Sequence, residues 1–234
     1  MIDVNQNLSY NIKDVIKLKI AIDGPSGAGK STITKEISKK LNIDYLDTGA
    51  MYRTLALYFK ENNFTDFNND DKVFNFIKNI DIDVKNGNFY LFNKNVSKDI
   101  RDEEIGLLAS KISSLKIVRE YLVAKQKEIA QDRDIVMDGR DVGTVILQDA
   151  DYKIFLTANL DERAQRRFDE LTYKDVKVKF EDVKKSLEKR DFDDINREHS
   201  PLIKADDAIE VDSSKLNIIE TIDLILKIIN EEDN

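Results

Sequence analysis

The chain has 234 residues, 41% of them apolar and 35% charged, with 37 basic against 45 acidic side chains and a net charge of −8. That length suits one domain carrying a sizeable insertion, no apolar run reaches the ~20 residues of a membrane span, and the negative field argues against nucleic acid or an anionic membrane as partner. With no cysteine and a single histidine, His199, disulfide scaffolds, thiolate chemistry and multi-histidine metal centres are excluded.

Residues 1–16 lack the basic end, apolar stretch and small-residue cleavage site of a secretory signal. A cytoplasmic protein is therefore expected, with 1–16 an extension of no assigned role. Leu18–Asp23 is a short β-prone apolar run, and it breaks into Gly24-Pro25-Ser26-Gly27-Ala28-Gly29-Lys30-Ser31-Thr32, after which Ile33, Ile37 and Leu41 recur at helical spacing. Strand, glycine loop and helix form the context in which G-x-x-x-x-G-K-[ST] cradles the phosphates of a nucleoside triphosphate. Glycines let backbone N–H groups converge on phosphate oxygens, Lys30 brings charge to the β- and γ-phosphates, and Ser31 can ligate Mg²⁺.

Ile43–Leu46 reads as a second strand and Met51–Lys60 as a helix. Between Thr65 and Arg101 the pattern changes: Ile80 to Ser97 alternates apolar and polar residues about Asn86-Gly87, a strong hairpin signal. We therefore expect an inserted antiparallel subdomain over about 66–105 within a kinase-like domain spanning 17–234. Helical spacing returns over Val118–Ala130, Asp161–Leu171 and Val183–Arg190, interleaved with strands at Ile135–Met137, Ile154–Leu156 and Ala208–Val211. Such alternation predicts a parallel sheet with helices on both faces. A last helix, Leu216–Ile229, is expected to lay Ile219, Ile222, Leu226 and Ile229 on the sheet.

Asp138 ends the Ile135-Val136-Met137 run and precedes Gly139, so it is expected at the carboxyl edge of the sheet, holding Mg²⁺ with Ser31. A signalling GTPase would carry N-K-x-D; the nearest approach, Asn93-Lys94-Asn95-Val96, lacks the aspartate. A small-molecule kinase instead needs arginines, whose planar forks grip phosphate with two hydrogen bonds. They occur as Arg53, Arg119, Arg140, then Arg163, Arg166 and Arg167, then Arg190 and Arg197. The spacing of Arg163, Arg166 and Arg167 lets one helix face present all three.

Asp47-Thr-Gly-Ala-Met-Tyr-Arg53, Asp138-Gly-Arg-Asp-Val-Gly-Thr144 and Lys189-Arg-Asp-Phe-Asp-Asp-Ile-Asn-Arg197, in this order around the glycine loop, resemble the signatures of the bacterial cytidylate kinases. The resemblance runs from about Leu18 to the C-terminus. It implies the P-loop nucleoside monophosphate kinase fold, with an inserted hairpin subdomain and a short lid over about 160–190, and transfer of the γ-phosphoryl of ATP to CMP or dCMP with Mg²⁺. By the same resemblance Thr48, Arg53, Arg140 and Arg197 bind the acceptor's phosphate, with Tyr52 on the same side. Ser110, Arg119 and Asp141 read cytosine, and Arg190 with Asp194 holds the sugar hydroxyls. Arg163 and Arg167 lie in the lid over the ATP phosphates and, with Lys30, Arg140 and Arg197, carry catalysis. ATP and CMP or dCMP are the expected partners of a monomer. Two alternatives stand beside this one: a P-loop kinase for another acceptor, such as UMP, AMP or shikimate, and a nucleotide-binding module without turnover.

Overall fold

The computed structural model describes residues 17–85 and 87–231. The expected extension over 1–16 and Asn86 of the expected turn lie outside the described residues. Five strands, β1 (Lys19–Asp23), β2 (Asp44–Asp47), β6 (Ile135–Gly139), β7 (Tyr152–Thr157) and β8 (Ile209–Asp212), form one sheet in the order β2-β6-β1-β7-β8. All four pairings are parallel, as the alternation of elements predicts.

The two-residue period of the strands divides the core into layers. Ile20, Ile22, Val136, Ile154 and Leu156 meet Ile33 and Ile37 of α1 (Lys30–Leu41) and Ile222, Ile225 and Ile229 of α8 (Ile218–Glu231). Ala21, Leu46, Ile135 and Met137 face the other way. There they meet Met51 and Leu55 of α2 (Thr48–Glu61), Ala109 of α4 (Glu103–Ile112), and Val118 and Leu122 of α5 (Lys116–Ala130). Among the described residues no helix is long and apolar enough to cross a membrane.

The last helix corrects one expectation. Ile219 is 70% exposed, and Ile225 takes its place beside Ile222 and Ile229 in the core. Asn217 caps this helix by accepting the Glu220 N–H at 3.0 Å, while Glu220 accepts the Asn217 N–H at 2.8 Å. Ile219 sits in the capped first turn, outside the stripe of Ile222, Ile225 and Ile229 that packs on the sheet.

The inserted segment contains α3 (Asp70–Ile77) and a three-stranded antiparallel sheet of β3 (Ile82–Lys85), β4 (Asn88–Leu91) and β5 (Lys94–Asn95). Lys85 pairs with Asn88, and Gly87 adopts φ 71°. Val73, Ile77, Val84, Phe89 and Leu91 join the same buried cluster as Leu55 and Phe59. Phe59 packs at 5.2, 5.3 and 5.4 Å from the rings of Phe64, Phe67 and Phe76. The segment thus leans on α2 instead of enclosing a core of its own, and a 3₁₀ turn, Asp99–Arg101, leads from it back into α4. The second half of the chain adds the paired helices α6 (Leu160–Tyr173) and α7 (Phe180–Asn196).

Candidate active site

Strands β1, β2 and β6 end side by side on Asp23, Asp47 and Asp138-Gly139, with Asp47 in register with Asp138. Ligands of open α/β sheets gather at this carboxyl edge. A cleft of about 460 Å³ opens there.

One wall of the cleft is the glycine loop. A Cβ on Gly24, whose φ is +150°, would lie 2.0 Å from the Leu156 carbonyl oxygen, so only glycine lets the loop leave β1 against β7. Gly29 ends the loop in the left-handed region at φ 89° and begins α1 with no side chain capping it. The first N–H groups of α1 are thereby left for an anion. Lys30 is 5% exposed and its Nζ donates to the Pro25 carbonyl at 2.7 Å. Burial, and then the Arg140 charge, push it well below the ordinary lysine range against the pull of Asp138 and Asp23. Ser26, Gly27, Gly29, Lys30, Ser31 and Thr32 line the cleft, whereas Gly24, Pro25 and Ala28 shape the loop from behind.

Facing this wall stands a set of arginines, most of them already engaged. Arg140 Nε donates to Asp194 at 2.8 Å, while its second arm donates to the Ser26 hydroxyl at 2.8 Å, so one guanidinium ties α7 to the glycine loop. Arg119 and Asp141 form an ion pair with side chains only 4% and 6% exposed. The Arg119 guanidinium also donates to the Ser113 carbonyl at 3.0 Å and stands 5.5 Å over the Tyr52 ring. Arg197 lies 3.5 Å from Asp194 and 3.8 Å from Asp141, leaving its Nη2 buried without a hydrogen-bond partner. Burial would raise Asp194, but Arg140 and Arg197 outweigh it and hold the carboxyl below its usual range. Burial and the neighbouring Arg140 push Arg190 down to about 10. Thr48, Tyr52, Arg53 and Ser110 complete the lining, with Thr48 donating to the Asp138 carbonyl at 2.8 Å.

The cytidylate kinase family model matches residues 20–231. The chain belongs to the cytidylate kinase family. It is 47% identical over 210 residues to a cytidylate kinase of Fusobacterium nucleatum, covering 89% of this chain and 95% of that protein. A cytidylate kinase of Thermosipho melanesiensis is 46% identical over 92% of this chain and 97% of its own length. The chain is also similar to 43% of a bifunctional pantoate ligase/cytidylate kinase of Prochlorococcus marinus, at 47% identity.

In this cytidylate kinase family member the Ser31 hydroxyl donates to Asp138 Oδ2 at 2.7 Å, while Oδ1 is buried with no hydrogen-bond partner. Burial, and then the Asp47 charge, push Asp138 up to about 7. An under-satisfied carboxylate beside a hydroxyl fits a hard cation. Among the described residues no cluster of three or more acidic, cysteine or histidine side chains could hold a metal alone.

The arginines of α6 part company, contrary to the expectation that one face presents them together. Arg163 is buried and donates to the Ser26 carbonyl at 2.9 Å, the Ala158 carbonyl at 2.8 Å and Asp191. Arg166 turns to the Ser213 carbonyl at 2.6 Å, and only Arg167 lines the cleft, paired with Glu170 at 2.7 Å. Helical spacing aligns Cβ atoms, but long stems carry each guanidinium to its nearest acceptor.

Sequence reasoning missed four residues of the site. Asp191 accepts the Ser26 N–H at 3.0 Å beside Arg163; its signal was its place inside the Lys189–Arg197 motif. Asp47 caps α2 through the Ala50 N–H at 2.8 Å and pairs with Arg101 at 3.3 Å, which brings an arginine of the insert to the cleft. Tyr45 sets its hydroxyl against Asp138 and Ser31, and burial raises it so far that it stays neutral. Neither Tyr45 nor Arg101 belongs to a motif.

Proposed function

We propose that this protein transfers the γ-phosphoryl group of ATP to CMP or dCMP, with Mg²⁺, giving ADP and the diphosphate. The observation that carries this reading is the meeting, in one cleft, of the Lys30–Ser31–Asp138 group with the Arg119–Asp141 pair. The first is chemistry for a triphosphate, and the second is a buried donor and acceptor couple suited to a polar base.

The nucleophile is an oxygen of the acceptor's phosphate monoester, whose second ionisation lies near pH ~6, so it is already charged at neutral pH and needs no general base. What remains is to hold two anions in line and neutralise the charge that spreads over the transferred group. The first turn of α1 takes the triphosphate, and Lys30 exchanges the Pro25 carbonyl for a phosphate oxygen. Arg53, Arg140 and Arg197 with Thr48 hold the acceptor's phosphate; Tyr52 supports the base side under Arg119. Asp141 accepts from the cytosine amino group while Arg119 and Ser110 donate to the ring acceptors, and Arg190 with Asp194 takes the sugar hydroxyls. Ser31 and Asp138 would hold Mg²⁺, which would supply positive charge to neutralise the triphosphate during transfer. We assign the lid to residues 160–190. Arg167 moves with it over the donor phosphates, whereas Arg163 steadies the glycine loop from beneath. Closure excludes water, which otherwise competes with the acceptor.

A coupled assay of ADP release across CMP, dCMP, UMP, AMP and shikimate tests the assignment. Turnover is expected with CMP or dCMP; acceptor-independent ADP release, or a clear preference for AMP or shikimate, overturns it.

A further inference from the structure

Asp23 ends β1 and is 5% exposed. It is not part of the cleft lining, yet both its carboxylate oxygens are engaged across the sheet. Oδ1 accepts the Val142 N–H at 2.9 Å and Oδ2 accepts the Gly143 N–H at 2.8 Å. These donors belong to the two residues that follow Arg140 and Asp141.

The reason those N–H groups need an outside acceptor lies in the local backbone. Residues Val142–Ile146 form a single wide turn, closed by the Val145 and Ile146 N–H groups on the Asp141 carbonyl at 2.9 and 3.3 Å and by the Leu147 N–H on the Val142 carbonyl at 2.7 Å. The turn consumes carbonyls at its start and leaves its first N–H groups without partners, as any helical turn does. Buried orphan donors are costly, and here a carboxylate from another strand satisfies two of them at once. Asp23 lies close against this turn: a Cβ on Gly143 would be 3.5 Å from Asp23 Oδ2 and 3.2 Å from Lys153 Cδ.

Resting on the functional reading above, we propose that Asp23 is a positioning residue for acceptor recognition, fixing the backbone that aims Arg140 at Ser26 and Asp194 and Asp141 at Arg119. Two acceptor atoms on one short rigid side chain are required. Asparagine is the same size but presents one oxygen and one N–H₂ group, so one backbone donor would face another donor. Asp23 also precedes Gly24, so the stem of the donor loop and the start of the acceptor turn are held by a single residue.

The test is Asp23→Asn, assayed for KM and kcat with CMP, UMP and ATP, together with hydrogen exchange of the 140–147 amides in the nucleotide-free protein. The expected result is faster exchange in that segment, a rise in the CMP KM of about tenfold, the scale of one buried hydrogen bond, a narrower CMP/UMP ratio, and an unchanged ATP KM. A parallel rise in the ATP and CMP KM values would make Asp23 an anchor of the glycine loop instead. Lower thermal stability with unaltered KM values and ratio would make it merely structural. Either result overturns the proposal. If Asp23→Asn does not fold, Asp23→Ser, which removes both carboxylate acceptors without setting an amide donor against the backbone N–H groups, carries the same comparison with the same outcomes. Wild type that makes no ADP on addition of CMP defeats the functional reading itself, and that result is read before any variant is compared.

Discussion

Gly106 lies inside α4, where alanine is the better helix former, yet a Cβ on it would sit 2.8 Å from Nη1 of Arg53, 3.0 Å from Nη2 and 3.2 Å from Cζ. Ordinary contact needs about 3.5–4.0 Å, so in Gly106→Ala something must retreat by roughly 1 Å. The yielding partner is the end of a flexible side chain, not backbone, and Arg53 is held there by one long hydrogen bond to the Ile100 carbonyl, at 3.3 Å. The helix itself gains about 1 kcal/mol from the change. If Arg53 grips the acceptor's phosphate, displacing it forfeits a charge-assisted bond of about 1.5–3 kcal/mol, roughly a 10- to 150-fold loss in kcat/KM for CMP. The variant should therefore be at least as stable as wild type in thermal unfolding, with an unchanged ATP KM and a crippled use of CMP in the ADP-release assay. Unaltered kcat/KM for CMP would remove Arg53 from the acceptor site. A fall in melting temperature would show that α2 and α4 separate and that the side chain is not what gives way.

Three further outcomes are expected. Lys30→Ala should lower turnover by about 10²–10³ or more, the effect of removing one electrostatic stabiliser from a closed site; near-normal turnover in the folded variant would remove the glycine loop from the mechanism. Asp141→Asn turns an acceptor into a potential donor, so the CMP/UMP ratio of kcat/KM should narrow by roughly 10² or more; if both rates fall and the ratio holds, Asp141 serves only to brace Arg119. Burial, opposed by the Gly143 and Val142 N–H groups, raises Asp23 from 3.8 to about 6, so between those values the folded chain binds more protons there than the unfolded chain. The stability this group contributes is then largest at acid pH and falls as pH rises, and the wild-type-minus-Asp23→Asn difference in unfolding free energy should decline up to about pH 6 and level off. A difference that grows with pH would show that the two N–H bonds outweigh burial.

Much of the architecture was legible because it rests on local periodicity. The apolar run before Gly24, the helical spacing of Ile33 and Ile37, and the alternation about Gly87 each correspond to an observed element. The helices α3 and α4 were missed although their caps are plain in the sequence: Asn69 accepts the Lys72 N–H at 3.0 Å, and Asp102 accepts the Glu104 N–H at 2.8 Å. Short amphipathic stretches inside an irregular insert carry too little periodicity to stand out. Within the site, the motifs brought Lys30, Ser31, Thr48, Asp138, Arg140 and Asp141 to one cleft. What no motif encodes is the partnering of long side chains. The departure of Arg166 to Ser213 and the reach of Arg101 to Asp47 depend on which acceptors tertiary folding brings within range.

Four arginines of the cleft are already matched with carboxylates: Arg119 with Asp141, Arg140 with Asp194, Arg101 with Asp47 and Arg167 with Glu170. A lone phosphate ion approaching these four gains little, since each contact it makes there displaces a carboxylate already in place, whereas Arg53 in the same cleft is held by the Ile100 carbonyl. A nucleotide is different, because its base, sugar and phosphate offer replacements to several of these couples together. The internal carboxylates thus set a threshold at these four arginines for a small anion, while barely taxing a ligand that can satisfy the whole array.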